Sequence, residues 1–218
     1  MLLHVNCTIS PFLVQAKRKM VYFGILQNGG EQMTLQELRS QVEACTACDL
    51  CRTRTNTVFG TGNEHADIMF VGEAPGRNED ETGLPFVGAA GHLLDDYLTA
   101  VGLSRDEVFI GNIIKCRPPN NRDPKPEEED CCIHFLHSQI ELIDPKLIVC
   151  LGRIAAKRLI DPNFQVTKQH GELFRYHGRL IMATFHPAAL LRNPGNKAPT
   201  FSDFEKIYEI AKVKNFNL

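Results

Sequence analysis

The 218-residue chain has no tryptophan, almost no net charge and no long apolar run. Its 24 Lys and Arg stand against 26 Asp and Glu, a formal net charge of −2. That balance excludes a histone-like protein that holds nucleic acid by bulk basicity, though not a local basic face. No apolar stretch reaches the roughly 18 residues needed to span a bilayer, so no membrane partner is expected. With 43% hydrophobic and 23% charged residues, the composition also excludes a disordered chain, a collagen and a coiled coil. The opening MLLHVNCTISPFLVQAKRKM makes a poor export signal. His4, Asn6 and Pro11 break its apolar residues, and the basic cluster Lys17-Arg18-Lys19 follows them instead of preceding them. A cytoplasmic, reducing compartment is the expectation.

Cysteine, by contrast, is plentiful, with eight in all. In a reducing compartment, clustered cysteines read as metal or catalytic residues more often than as bridges. Cys45-x-x-Cys48 brings two thiolates within reach of one centre. Cys116 and Cys132 form a second pair, and the proline-rich segment between them can swing back to close a four-sulfur site. Four thiolates suit zinc and an iron–sulfur cluster alike, and spacing does not choose between them. Cys51 and Cys131 are spare thiols, each a rival to its neighbour. Cys150, inside KLIVCLG, reads as a small buried hydrophobe.

Residues 1–32 carry little pattern and read as an extension, with the compact domain running over residues 33–218. A helix is predicted from Thr34, a plausible N-cap with Glu37 three residues on. Four short, β-branched runs follow: DIMFVG (67–72), EVFIGNII (107–114), KLIVCLG (146–152) and RLIMATF (179–185). Near-continuous apolar strands of this kind are buried on both faces. Helical patterns alternate with them, so an α/β fold is predicted, a parallel sheet covered by helices on both sides. Such sheets bind ligands outside the carboxyl ends of their strands.

The loops at those ends carry the candidate chemistry. GEAPG (72–76) is a tight turn in which Gly72 and Gly76 let backbone approach a ligand and Pro75 fixes the path. Glu73 and Glu79 are candidate acid, base or orienting groups, although loop carboxylates are commonly just solvated. Phe86, in TGLPFVG, is either core or a stacking platform for a flat ring. Asn112 ends a buried strand, and its amide offers a donor beside an acceptor, matching N3–H and O4 of uracil but not the edge of cytosine. The bland alternative is a strand-end Asn bonded to a turn. His186-Pro187 follows the last strand at once. Beyond it Leu190 and Leu191, if exposed, suit a wedge into stacked bases, with Arg192 on a phosphate. Otherwise the two leucines are core. Arg117, Arg122, Arg77, Lys115 and Lys197 complete a candidate local basic patch.

GEAPG, TGLPFVG, NIIKCRPPNNR, the PKPEE segment before a cysteine, and HPAALLRNP occur in order between about Cys45 and Pro194. Together they closely resemble the family 4, iron–sulfur branch of the uracil-DNA glycosylase superfamily. The resemblance implies a three-layer α/β/α fold with a short, mostly parallel four-stranded sheet. It implies a [4Fe–4S] cluster on Cys45, Cys48, Cys116 and Cys132. It assigns Gly72, Glu73, Ala74, Phe86, Asn112 and His186 to the uracil pocket. Glu79 is similar to a carboxylate that crowds the C5 side of the base. The implied substrate is uracil-containing DNA, handled by a monomer without a nucleotide cofactor. Ala74 departs from better-known branches, which carry an Asp there to handle water, so water activation falls to Glu73 or Glu79 or depends little on a base. Two rival readings are a non-catalytic damaged-DNA-binding member and a nucleic-acid adaptor stabilised by a metal on four cysteines.

Overall fold

The computed structural model describes residues 27–28 and 31–212. The expected extension over residues 1–32, with Cys7, lies outside the described residues except for two short strands. These are β1 (Gln27–Asn28) and β2 (Glu31–Gln32), paired antiparallel. Helix α1 (Leu35–Glu43) starts as the sequence predicts. The Thr34 hydroxyl accepts from Glu37 N–H at 3.2 Å, and Glu37 Oε2 accepts from Thr34 N–H at 2.7 Å.

After β3 (Thr61–Gly62) come β4 (Ile68–Gly72), α2 (Arg77–Thr82), α3 (Ala89–Ala100) and β5 (Phe109–Asn112). Next are α4 (Pro126–Ile143), β6 (Leu147–Leu151), α5 (Arg153–Leu159) and α6 (Val166–Gln169). The chain closes with β7 (Leu173–Tyr176), β8 (Arg179–Thr184), α7 (Pro187–Arg192) and α8 (Lys197–Lys212).

The main sheet has six strands in the order β3-β5-β4-β6-β8-β7, not the four expected. Its inner strands β5, β4, β6 and β8 are the four apolar runs, and they pair parallel. The additional two are antiparallel edges. Neither presents an apolar run. β3 is two residues long, and β7 is half-exposed and reaches β8 through a tight turn at His177 and Gly178, both at positive φ.

Side chains alternate along each inner strand. Met69 and Val71 of β4, with Ile148 and Cys150 of β6, pack under α1, α4 and α5. Ile68 and Phe70, with Leu147 and Val149, pack under α3 and α8. Three layers result, as the resemblance implies, and Cys150 is core. Among the described residues no helix is long and apolar enough to cross a membrane.

Candidate active site

Four parallel strands end on one side of the sheet, and the loops leaving them enclose a cleft of about 480 Å³. Glu73, Ala74, Glu79, Phe86, Asn112, His186, Arg122 and Arg192 all line it, so residues far apart in sequence meet in one hollow. Gly72 does not line the cleft itself but lies directly behind Asn112 and Phe86. It pairs with Asn112 in the register of β4 and β5, and a Cβ there would come within 2.4 Å of Asn112 Oδ1 and 2.8 Å of the Phe86 ring. Only glycine fits between these two side chains.

Asn112 is 2% exposed, and its Oδ1 is the one buried side-chain oxygen or nitrogen without a hydrogen-bond partner among the described residues. Buried polar atoms are almost always satisfied, so an orphan acceptor in the lining of a cleft points to a ligand.

Phe86 sits at φ 53°, a left-handed backbone that Phe rarely adopts. Its carbonyl is taken by the Arg105 guanidinium, which also bonds Pro85 O and Asp95. Gly91 makes room for that carbonyl, since a Cβ there would overlap it. From the other side Glu79 grips the same loop. Its Oε1 accepts from Val87 and Gly88 N–H at 2.9 and 3.1 Å, and its Oε2 from Gly76 N–H at 3.1 Å. Glu79 is thus a clamp between two loops. The acid–base role considered for it gives way to that bonding.

The ring held in this way stacks on His186, with centroids 5.6 Å apart and planes 28° from parallel. His186 Nδ1 accepts from Ala188 N–H at 3.1 Å, capping α7. The proton of the neutral ring therefore sits on Nε2, where it can be donated. Burial, helped by the Arg192 charge and opposed by Glu79, lowers His186 to about 4, so the ring is neutral at physiological pH. Glu73 moves the other way. Burial first and the Asp123 charge second push its carboxyl up to about 7, with Arg153 opposing and Glu129 adding.

The remaining expected contacts divide. Leu190 is fully buried on the inner face of α7, whereas Leu191 is 47% exposed beside Arg192. The wedge role therefore fits Leu191 and not Leu190; the segment read as a loop is a helix with an inner and an outer face. Arg122 is bound bidentately by Glu128, at 2.8 and 2.6 Å, and Arg117 bonds Asn121. Arg77 pairs with Glu81 on the surface. Lys115, 1% exposed, faces the interior and leaves the surface patch. Burial lowers its ammonium to about 8. Arg105, Asp123 and Arg153 went unnoticed in sequence. Arg105 acts on main-chain carbonyls, which leave no residue pattern.

Six of the described cysteines gather in a second hollow beyond the β5 end. Cys45, Cys48, Cys116 and Cys132 line one hollow, together with the spare Cys51 and Cys131. Arg54 donates to Cys116 Sγ at 3.2 Å and to Cys45 O at 2.8 Å, and Lys115 N–H donates to Cys132 Sγ at 3.3 Å. Burial pushes the Cys132 thiol up to about 12. Among the described residues, no three His, Cys, Asp or Glu are drawn together as around a metal ion.

A pocket with a stacking ring, an orphan amide and a neutral imidazole donor, set at the carboxyl ends of a parallel sheet, defines an α/β protein that receives a flat, hydrogen-bonding ligand. Comparison with known proteins narrows that class. The family model of the Uracil DNA glycosylase superfamily matches residues 59–212, and the chain belongs to that superfamily. It is 47% identical over 189 residues to the type-4 uracil-DNA glycosylase of Archaeoglobus fulgidus, covering 83% of this chain and 95% of that protein. The type-4 uracil-DNA glycosylase of Thermotoga maritima is 46% identical over 185 residues, with 84% and 94% covered. The type-5 uracil-DNA glycosylase of Thermus thermophilus is 31% identical over 150 residues, with 59% and 68% covered.

Proposed function

We propose that the protein is a DNA-repair glycosylase that takes uracil out of the helix and hydrolyses its N-glycosidic bond, leaving free uracil and an abasic site. The observation that carries this reading is the unpartnered Asn112 Oδ1, buried in a cleft beside Phe86 and His186. Uracil supplies the donor that this oxygen lacks, N3–H, and sets O4 beside it as an acceptor for the amide nitrogen. Phe86 stacks on the base. The nucleotide reaches this depth only if flipped, at a cost of a few kcal/mol that is least for mismatched or single-stranded uracil. Leu191 and Arg192, exposed at the rim, fit the gap left in the stack and the adjoining phosphate.

Breaking C1′–N1 leaves positive charge on the sugar and negative charge on the departing base. The Nε2–H of neutral His186 is the donor for the developing anion at O2. Such donors strengthen as charge grows, each worth roughly 10²–10³ in rate. Ala74 provides no carboxylate. Glu79 is engaged by three main-chain N–H groups and Asp123 is paired with Arg153, so Glu73 is the carboxylate of the cleft left to orient and deprotonate water. With its pKa near 7 it can do so at neutral pH.

The donor set at Cys45, Cys48, Cys116 and Cys132 fits an iron–sulfur cluster. All four sulfurs are soft ligands of the kind such a cluster takes, and N–H groups bond two of them. A [4Fe–4S] cluster there would tie α1 and the loop after it to the β5 end and α4; hydrolysis itself moves no electrons. The seven described cysteines are unbridged, which suits the cytoplasm, and we assign the activity to a monomer. The test is incubation with a uracil-containing oligonucleotide followed by alkali. Breaks at uracil and none at thymine support the reading, and an intact strand refutes it.

A further inference from the structure

Lys115 is the most deeply buried cation of the described residues, 1% exposed, and it makes no ion pair. A core position that needs only bulk is filled at lower cost by an apolar side chain of similar length, because burying a charge is expensive. What Lys115 offers in return is a set of donors, and both partners are specific. Its Nζ donates to the main-chain carbonyl of Asn112 at 2.9 Å and to Gln139 Oε1 at 2.6 Å. Gln139, itself fully buried on α4, donates onward from Nε2 to Phe59 O at 2.8 Å.

Asn112 is thereby held at its main chain and left open at its side chain. On one side its carbonyl is fixed by a charge-assisted bond, stronger than a neutral one. On the other its side chain stays free for a ligand. Beyond Asn112 the chain continues beside the first turn, with Ile113 N–H on Gly72 O at 2.9 Å and Ile114 N–H on Glu73 O at 3.2 Å. Lys115 comes next, and its own N–H lies on Cys132 Sγ. One residue therefore touches the base-reading strand through its side chain and the cysteine hollow through its main chain.

We propose that Lys115 is a positioning residue for base recognition, its bond to the Asn112 carbonyl setting the depth at which the Asn112 amide meets the uracil edge. This rests on the assignment of the cleft to uracil. Lys115 touches neither substrate nor reacting atoms; it acts through Asn112. A misplacement of about 1 Å near reacting groups costs on the order of 10²-fold in rate. Lys115→Met, which keeps the length and removes the donors, is expected to lower kcat roughly ten- to a hundredfold. Affinity for uracil-containing DNA, measured by anisotropy, should stay within about twofold, because phosphate and rim contacts dominate binding.

The comparison variant is Gln139→Met, which also removes two buried side-chain hydrogen bonds but leaves the Lys115–Asn112 bond. It should melt earlier and keep a kcat close to that of the unchanged protein. If Lys115→Met does not fold, Lys115→Gln, with one shorter donor arm, takes its place with the same expectation. A folded Lys115 variant with full kcat overturns the proposal. So does an equal loss of kcat in Gln139→Met, which would mark the effect as general core damage. Should the unchanged protein release uracil in the same experiment, such a result defeats this inference alone. Should it release none, the functional reading fails and takes the inference with it.

Discussion

Gly72 and Asn112 face each other across the parallel pairing of β4 and β5, and a methyl group on Gly72 would press to 2.4 Å from the Asn112 amide oxygen. Gly72→Ala should therefore disable base reading without unfolding the sheet. The expected result is uracil release lower by on the order of 10²-fold, with a stability loss of about 1–3 kcal/mol that leaves the protein folded. Single-turnover kinetics and a thermal melt check both halves.

Asn112→Asp replaces the amide donor with a second acceptor opposite O4 of the base. Uracil excision should fall by roughly 10²–10³. Assays on matched uracil and cytosine oligonucleotides test this, and unchanged uracil excision would remove Asn112 from the pocket.

The pH profile separates the two titrating groups. As pH falls through about 7, Glu73 takes up a proton and can no longer accept one from water, so kcat/KM should drop along an acid limb there. Glu73→Gln should lie lower and lack that limb. His186, neutral down to about 4, adds no limb in this range. Stability has its own sign. Because the folded pKa of Glu73 is raised, its neutral form is favoured in the native state and the unfolded chain ionises first. Its contribution is present below about 4.5 and lost as pH rises to about 7. Glu73→Gln should remove that slope in denaturant melts.

The two leucines of α7 should part company. Leu190→Ala creates a core cavity and is expected to cost about 2–5 kcal/mol of stability. Leu191→Ala, on the exposed face, should leave stability within about 0.5 kcal/mol and slow excision from duplex more than from single strands. Chemical denaturation and paired substrates distinguish them.

Cys48→Ser should yield protein with less iron, a weakened visible absorbance and an earlier melt. Iron analysis and the absorption spectrum read this directly. A fully coloured, stable variant would move the ligand to Cys51 or Cys131, which line the same hollow.

Much of this was legible in sequence because it rests on local chemistry. The Thr34–Glu37 cap, the four inner strands and the meeting of Phe86, Asn112 and His186 at the strand ends all follow from patterns short enough to read. The edge strands carry no apolar run and escaped. Leu190 and Leu191 could not be told apart, since their difference lies in which face of α7 turns inward. Lys115 read as a surface cation because charge is ordinarily solvated, and only tertiary packing supplies Asn112 O and Gln139 as its partners. Glu79 read as an acid, base or orienting group alike, and its bonding selects the last for a similar reason. Two of the three N–H groups it caps belong to residues eight and nine positions away.

The Phe86 loop is fastened by Arg105 from one side and Glu79 from the other, in a backbone state that glycine at 91 makes room for. A wall anchored by its own chain does not remould itself around an arriving nucleotide. Rearrangement on encounter then falls on the nucleic acid, and sorting begins with how firmly each nucleotide is stacked and paired. Uracil opposite guanine, or in a frayed or unpaired stretch, yields soonest. The rigidity of one aromatic loop thus makes looseness in the helix the first criterion of selection.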